Sequence, residues 1–186
     1  MTRAMNRPGR ESHWSVPVTL HEVPLTGHRF ELAADEAARA AIAKSADLRA
    51  LPRLEATFDV SRHGSEGLRV VGRVGATVGQ VCVVTLDPIE NEVEEMVDLV
   101  FVPGATTAAD AAGRIGIDEA AEQAPEPLLG DTVDLGAIAT EFLILGIDLY
   151  PRKPDAVFQA PPVEDSAEHP FAALAALRGG PDGGDA

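Results

Sequence analysis

The sequence predicts an α+β fold: an antiparallel β meander, or a partly closed barrel-like sheet, packed by two main helices. Three observations lead there. Apolar and polar residues alternate through the middle of the chain, with Leu54, Ala56, Phe58 and Val60 set against Glu55, Thr57 and Asp59. Turn residues punctuate that region, in RHGSEG (62–67) and at Asp87-Pro88. Two other segments, 34–51 and 134–149, carry apolar residues at helical spacing instead.

Taken in order, HWSVPVT (13–19) starts the fold as a short β segment, in which Pro17 suits an edge or strand entry. TGHRFELAA (26–34) follows a turn at Gly27 as a second strand. The first helix is expected over 34–51: it is rich in alanine, has Asp35 and Glu36 in its first turn, and meets a stop at Pro52. Its stripe of Ala38, Ala41, Ile42 and Leu48 is narrow, so it needs a sheet to pack on. The alternating strand at 54–60 then turns and returns through Val70, Val74, Ala76 and Val78. Gly72, Gly75 and Gly79 are expected bulge or bend points. QVCVVTLDP (80–88) reads as a further β-branched strand. IENEVEEMVDLVFVP (89–103) reads as another, with Val93, Val97, Leu99 and Phe101 on one face and Glu92, Glu94, Met96 and Asp98 on the other. The second helix has Asp134 as N-cap, a stripe of Leu135, Ile138, Ala139, Phe142 and Leu143, and Gly146 near its end.

These elements form one expected domain over 13–158. A flexible N-terminus is expected over 1–12, and the Ala-rich, acidic, proline-punctuated stretch 104–130 is expected to be a mobile acidic loop. The tail 159–186 is expected to be mostly disordered, apart from the short amphipathic stretch HPFAALAAL at 169–177.

Charge narrows the function classes. The chain has 186 residues and a formal net charge of −15, and residues 87–134 hold thirteen acids against one arginine. Such a surface repels the nucleic-acid backbone, which is bound through Lys and Arg, and suits a basic protein; simple solvation of the surface is the alternative. A single cysteine leaves no internal disulfide and points to a reducing, cytoplasmic compartment. The basic, polar N-terminus and the lack of about 18 consecutive apolar residues predict neither a secretory signal nor a membrane span.

No catalytic, metal or cofactor site is expected. Cys82 is followed three residues on by Thr85, where a Cys-x-x-Cys knuckle would place its second thiol, and the histidines at 13, 21, 28, 63 and 169 are scattered. In a Val-rich strand, Cys82 reads as a small buried hydrophobe in preference to a nucleophile. No phosphate loop or Ser/His/Asp pattern stands out, and no small-molecule substrate is evident. The binding candidates are charged: Glu90, Glu92, Glu94 and Glu95 in the acidic strand, and Arg152 with Lys153 between two prolines after the second helix. The two cations read equally as an anchor for phosphate, carboxylate or a partner loop and as charges complementing the helix C-terminus.

Two blocks, VGATVGQVCVVTLDPIENEVEEMVDLVFVP (74–103) and DTVDLGAIATEFLILGIDLYPRKPDAVF (131–158), closed by HPFAALAAL, together resemble the YceD family of large ribosomal RNA subunit accumulation proteins. The resemblance runs from about Leu54 to Leu177. It implies an α+β domain linked to accumulation or processing of large-subunit ribosomal RNA, with no established catalysis. It also implies that many relatives carry a Cys-x-x-Cys in the first block and further cysteines at the end of the second. This chain departs from that pattern at Thr85 and in LYPRKPDAVF, which has no cysteine. Asp134, Gly136 and Glu141 match the family's helix pattern, and Glu141, at the border of the apolar face, either meets a cation such as Arg152 or Arg73 or faces water.

The expected function is thus that of a non-enzymatic ribosome-biogenesis factor. Its acidic surface would bind a basic ribosomal protein or assembly factor, with ribosomal RNA engaged indirectly. The alternatives are a carboxylate and divalent-metal hydrolase or nuclease, and a generic acidic protein-interaction module.

Overall fold

The computed structural model describes residues 13–104 and 125–158. The elements run β1 (Pro17–Thr19), a 3-10 turn (Leu20–Glu22), β2 (His28–Ala33), α1 (Glu36–Ser45), β3 (Ala50–His63), β4 (Gly67–Val81), β5 (Pro88–Val102), β6 (Glu126–Pro127), β7 (Thr132–Asp134) and α2 (Leu135–Gly146). The main sheet has the order β2-β3-β4-β5-β6 and is open, so the meander reading holds and the sheet does not close into a barrel. Its first four strands are antiparallel, and β6 adds a short parallel pair to the end of β5. A separate two-stranded ribbon joins β1 to β7. Pro17 lies in that ribbon, where a missing N–H is tolerated.

The long hairpins follow from strict alternation. From Leu54 onward, even-numbered residues of β3 and β4 (Leu54, Phe58, Val60, Val70, Val74, Val78) point to the buried face and odd-numbered ones to the other. In β5 the parity reverses, and Val93 and Val97 are buried. Ile42 and Ala43 of α1, and Leu135, Ile138, Ala139 and Leu143 of α2, join these residues in one apolar cluster. Each Val- or Leu-sized side chain buried in this way contributes roughly 1.5–3 kcal/mol.

Helix α2 forms as its sequence dictates. The Asp134 carboxylate accepts from the N–H groups of Gly136 and Ala137, satisfying donors that the first turn leaves unpaired. The same carboxylate accepts from the Val16 N–H and the Ser15 hydroxyl, so the cap also fixes the entry to β1. Gly146, the last helical residue, is there for close approach: a Cβ would come within 2.7 Å of the Val93 side chain and as close to Glu95.

Two expectations require correction. The first helix covers Glu36–Ser45, not 34–51, and Pro52 lies inside β3 instead of ending a helix. Asp47, at φ +54°, turns the chain out of the helix, and the Arg49 N–H then bonds the Gly79 carbonyl. Pro52 is accommodated because the β3–β4 register slips between Ala50 and Arg53. Residues 82–87 are not strand either. β4 ends at Val81, and the Cys82 N–H to Asp87 carbonyl bond closes a turn containing Leu86 at φ +61°. The stretches 1–12 and 159–186, including the segment 169–177, lie outside the described residues, as does most of 104–130; from that last stretch Glu126–Pro127 form β6.

Candidate functional site

Among the described residues the outward face of the main sheet has no covering layer, and almost all its long side chains are charged. β5 presents Glu90, Glu92, Glu94 and Asp98; β2 and β3 add Glu31, Glu55 and Asp59. Arginines stand among them. Arg53 contacts Glu92 at 2.5 Å and Glu55 at 3.3 Å, Arg69 meets Asp98 at 2.7 Å, Arg73 lies 3.7 Å from Glu94, and Arg29 lies 3.6 Å from both Glu31 and Asp59. Cross-strand register produces these pairs, since Thr77 is opposite both Arg53 and Glu92 and its hydroxyl bonds both. Seven carboxylates thus share four arginines, and the face keeps an acidic surplus.

Protonation follows the contacts. Hydrogen bonds from Thr77 and then Arg53 hold the Glu92 carboxyl below the usual glutamate range, and Arg69 does the same for Asp98. In return, Glu92 raises Arg53, and Asp98 raises Arg69. At the centre lies a shallow depression of about 350 Å³ floored by Gly75 and rimmed by Arg53, Glu55, Arg73, Glu92 and Glu94. It exists because Gly75 has no side chain at the one place where long charged neighbours surround it.

A second constellation forms at the end of the β4–β5 hairpin. The chain leaving α2 is stitched to the turn at Cys82. The Gln80 side-chain amide donates to the Asp148 carbonyl at 2.7 Å, the Val83 N–H to the Pro151 carbonyl at 2.9 Å, and the Lys153 N–H to the Cys82 Sγ at 3.4 Å. Lys153 Nζ sits 2.6 Å from Asp87 Oδ2. Cys82 is fully buried, and hydrogen bonds from the Thr85 hydroxyl, then the Lys153 and Thr85 N–H groups, lower its pKa from 9.0 to about 6. These are the two segments in which the resemblance implies cysteines in relatives, and the fold brings them together. The donor set of this chain, one thiol beside a threonine and a lysine already bound to Asp87, does not fit a metal. Among the described residues no group of three or more His, Cys, Asp or Glu is placed to hold one.

The sequence-derived binding residues therefore separate. Glu90, Glu92 and Glu94 share the open face, while Glu95 points to the opposite side, against Gly146 of α2. Glu141 is exposed on α2, and Arg73, one of its suggested partners, is engaged by Glu94 instead. Lys153 belongs to the Cys82 corner, and Arg152 beside it is exposed. Sequence reading missed Arg29, Arg53, Arg69 and Thr77 and named Arg73 only as a partner for Glu141; the odd-numbered parity of Arg53, Arg69, Arg73 and Thr77 in β3 and β4 was the available signal. Among the described residues no helix is long and apolar enough to cross a membrane.

Comparison with known families gives this α+β fold, with its ion-paired sheet face, a place. The pattern of the family described as large ribosomal RNA subunit accumulation protein YceD matches residues 70–178, more than half of the chain, and the chain belongs to that family. Its description concerns ribosomal RNA accumulation and names no reaction. No curated protein and no solved structure matches the chain.

Proposed function

We propose that this chain is a cytoplasmic ribosome-biogenesis factor that supports accumulation of large-subunit ribosomal RNA by binding a basic protein, a ribosomal protein or an assembly factor, and that it catalyses no reaction. Family membership supports the ribosomal role. One observation supports the mode of action: the open sheet face holds Glu31, Glu55, Asp59, Glu90, Glu92, Glu94 and Asp98 against Arg29, Arg53, Arg69 and Arg73. Exposed ion pairs in water are weak, so an incoming lysine or arginine exchanges with a resident arginine at little loss. The depression at Gly75 offers such a side chain three carboxylates. The same surplus repels phosphate, so ribosomal RNA is reached through the partner.

The test is affinity purification of the tagged chain from its own cells at low and high salt, with and without RNase. Basic ribosomal proteins recovered despite RNase, lost at high salt, and depleted by Glu90→Lys with Glu94→Lys are the expected result. Partners that disappear on RNase treatment alone would overturn the reading.

A further inference from the structure

Among the described residues, nothing covers the apolar side chains at the end of α2 and in the chain that follows. Leu145, Leu149 and Tyr150 are 71%, 78% and 71% exposed, and the segment carrying them is fastened to the Cys82 turn, whose Val83 and Leu86 are also exposed. The three hydrogen bonds and the Lys153–Asp87 pair hold this patch in place, so it is a built surface and not a fraying end. Arg152, exposed and in no ion pair among the described residues, stands at its border. Exposed apolar side chains of this size, carried on a segment that hydrogen bonds hold to the Cys82 turn, mark a docking site.

We infer that the occupant is the chain's own segment 169–177, docked in cis. Four observations select it. HPFAALAAL places Phe171, Leu174 and Leu177 three residues apart, with Pro170 at its start and Gly179-Gly180 after its end, the punctuation of a short helix. A helix of about nine residues is unstable alone in water and gains its stability by burying its apolar side. The residues just before it, Glu164, Asp165 and Glu168, carry the charge that complements Arg152. The described chain ends at Phe158, a few residues beyond the patch, and the connection from there to His169 spans about 36 Å when extended, enough to return the segment to Leu145 and Leu149 from any direction. The family pattern, moreover, continues through residue 178, so the segment belongs to the matched unit.

Hydrogen exchange read by mass spectrometry on the full chain tests this. Peptides covering 169–177 are expected to exchange at least about tenfold slower than those covering 179–186. Leu145→Ser with Leu149→Ser should abolish that protection, and Phe171→Ser with Leu174→Ser should speed exchange across 148–153. Because Leu145 and Leu149 are exposed, unchanged melting will show that the first variant is folded. Free exchange of 169–177 in the unmodified chain, or protection that survives the Leu145 and Leu149 changes, overturns the inference. Protection that grows with protein concentration alongside a dimer in sedimentation overturns it too, in favour of a second copy.

Discussion

The Lys153 main-chain N–H points at the Cys82 Sγ from 3.4 Å, joining positions 71 residues apart. With the Thr85 hydroxyl it stabilises the thiolate, which brings the Cys82 pKa to about 6. Thr85→Val, which removes the larger contribution, should move the titration midpoint up toward 9.0, read from the ultraviolet absorbance of the thiolate. The chain has one cysteine, so the signal has one source. The folded pKa lies below the unfolded one, so the thiolate's contribution is complete above the unfolded value and is lost as pH falls through about 6. The melting advantage over Cys82→Ser should therefore grow between about pH 6 and about pH 9.

The carboxyls of Asp87, Glu92 and Asp98 are all held below their ordinary values, by Lys153, by Thr77 with Arg53, and by Arg69. Depressed acids stabilise the fold above their unfolded pKa values, 3.8 for aspartate and 4.5 for glutamate, and the contribution disappears as pH falls through the lower folded values. Melting followed from about pH 6 to about pH 2 should show a steeper acid decline for the unmodified chain than for Asp87→Asn, Glu92→Gln, Asp98→Asn. Equal slopes would show that these contacts leave stability unchanged.

Gly72 and Gly75 lie three residues apart on β4 and should respond oppositely. A Cβ at Gly72 would collide with the Thr57 carbonyl and lie 2.8 Å from the Phe58 ring, whereas one at Gly75 meets only Arg53 Nη1 at 3.4 Å. Gly72→Ala should destabilise by about 3 kcal/mol, near the cost of about 3–5 kcal/mol for Phe58→Ala. Gly75→Ala should be neutral or stabilising by up to about 1 kcal/mol. Denaturant melts of the three variants decide it. Gly75→Ala also raises the floor of the acidic depression, so it separates binding from folding.

Asp134 ties the start of α2 to the first strand. Asp134→Ala removes acceptors for Gly136, Ala137, Val16 and Ser15 and should cost about 2 kcal/mol in a denaturant melt, while Asp134→Asn should keep most of the cap. A loss below about 0.5 kcal/mol for the alanine variant would show that water replaces the carboxylate at both ends.

Local signals made α2 readable from the sequence, because the Asp134 cap and the Leu135–Leu143 stripe lie within one element. Alternation made β3 and β5 readable for the same reason. The end of α1 and the Cys82 turn were not readable, since each depends on a distant partner: the Gly79 carbonyl for Arg49, and the Pro151 carbonyl for Val83. The β-branched run 81–85 suggested a strand that those bonds override. In the candidate site the carboxylates of β5 were visible but not their arginines, which only the hairpin register brings alongside. Glu95 was separable from Glu92 and Glu94 by parity alone.

The parallel pairing of β6 with β5 fixes two posts side by side. Phe101 and Val102 lie opposite Glu126 and Pro127, and the Leu128 N–H bonds the Val102 carbonyl at 3.0 Å. Whatever runs between residues 104 and 125 leaves and re-enters the fold at one doorway. The entropy of closing a longer span rises only slowly, by about 0.6 kcal/mol per doubling. That doorway is therefore where evolution can lengthen or shorten the chain without shifting the register of a single ladder, and where an experimenter can splice in a fluorescent reporter while leaving both the acidic face and the Cys82 corner intact.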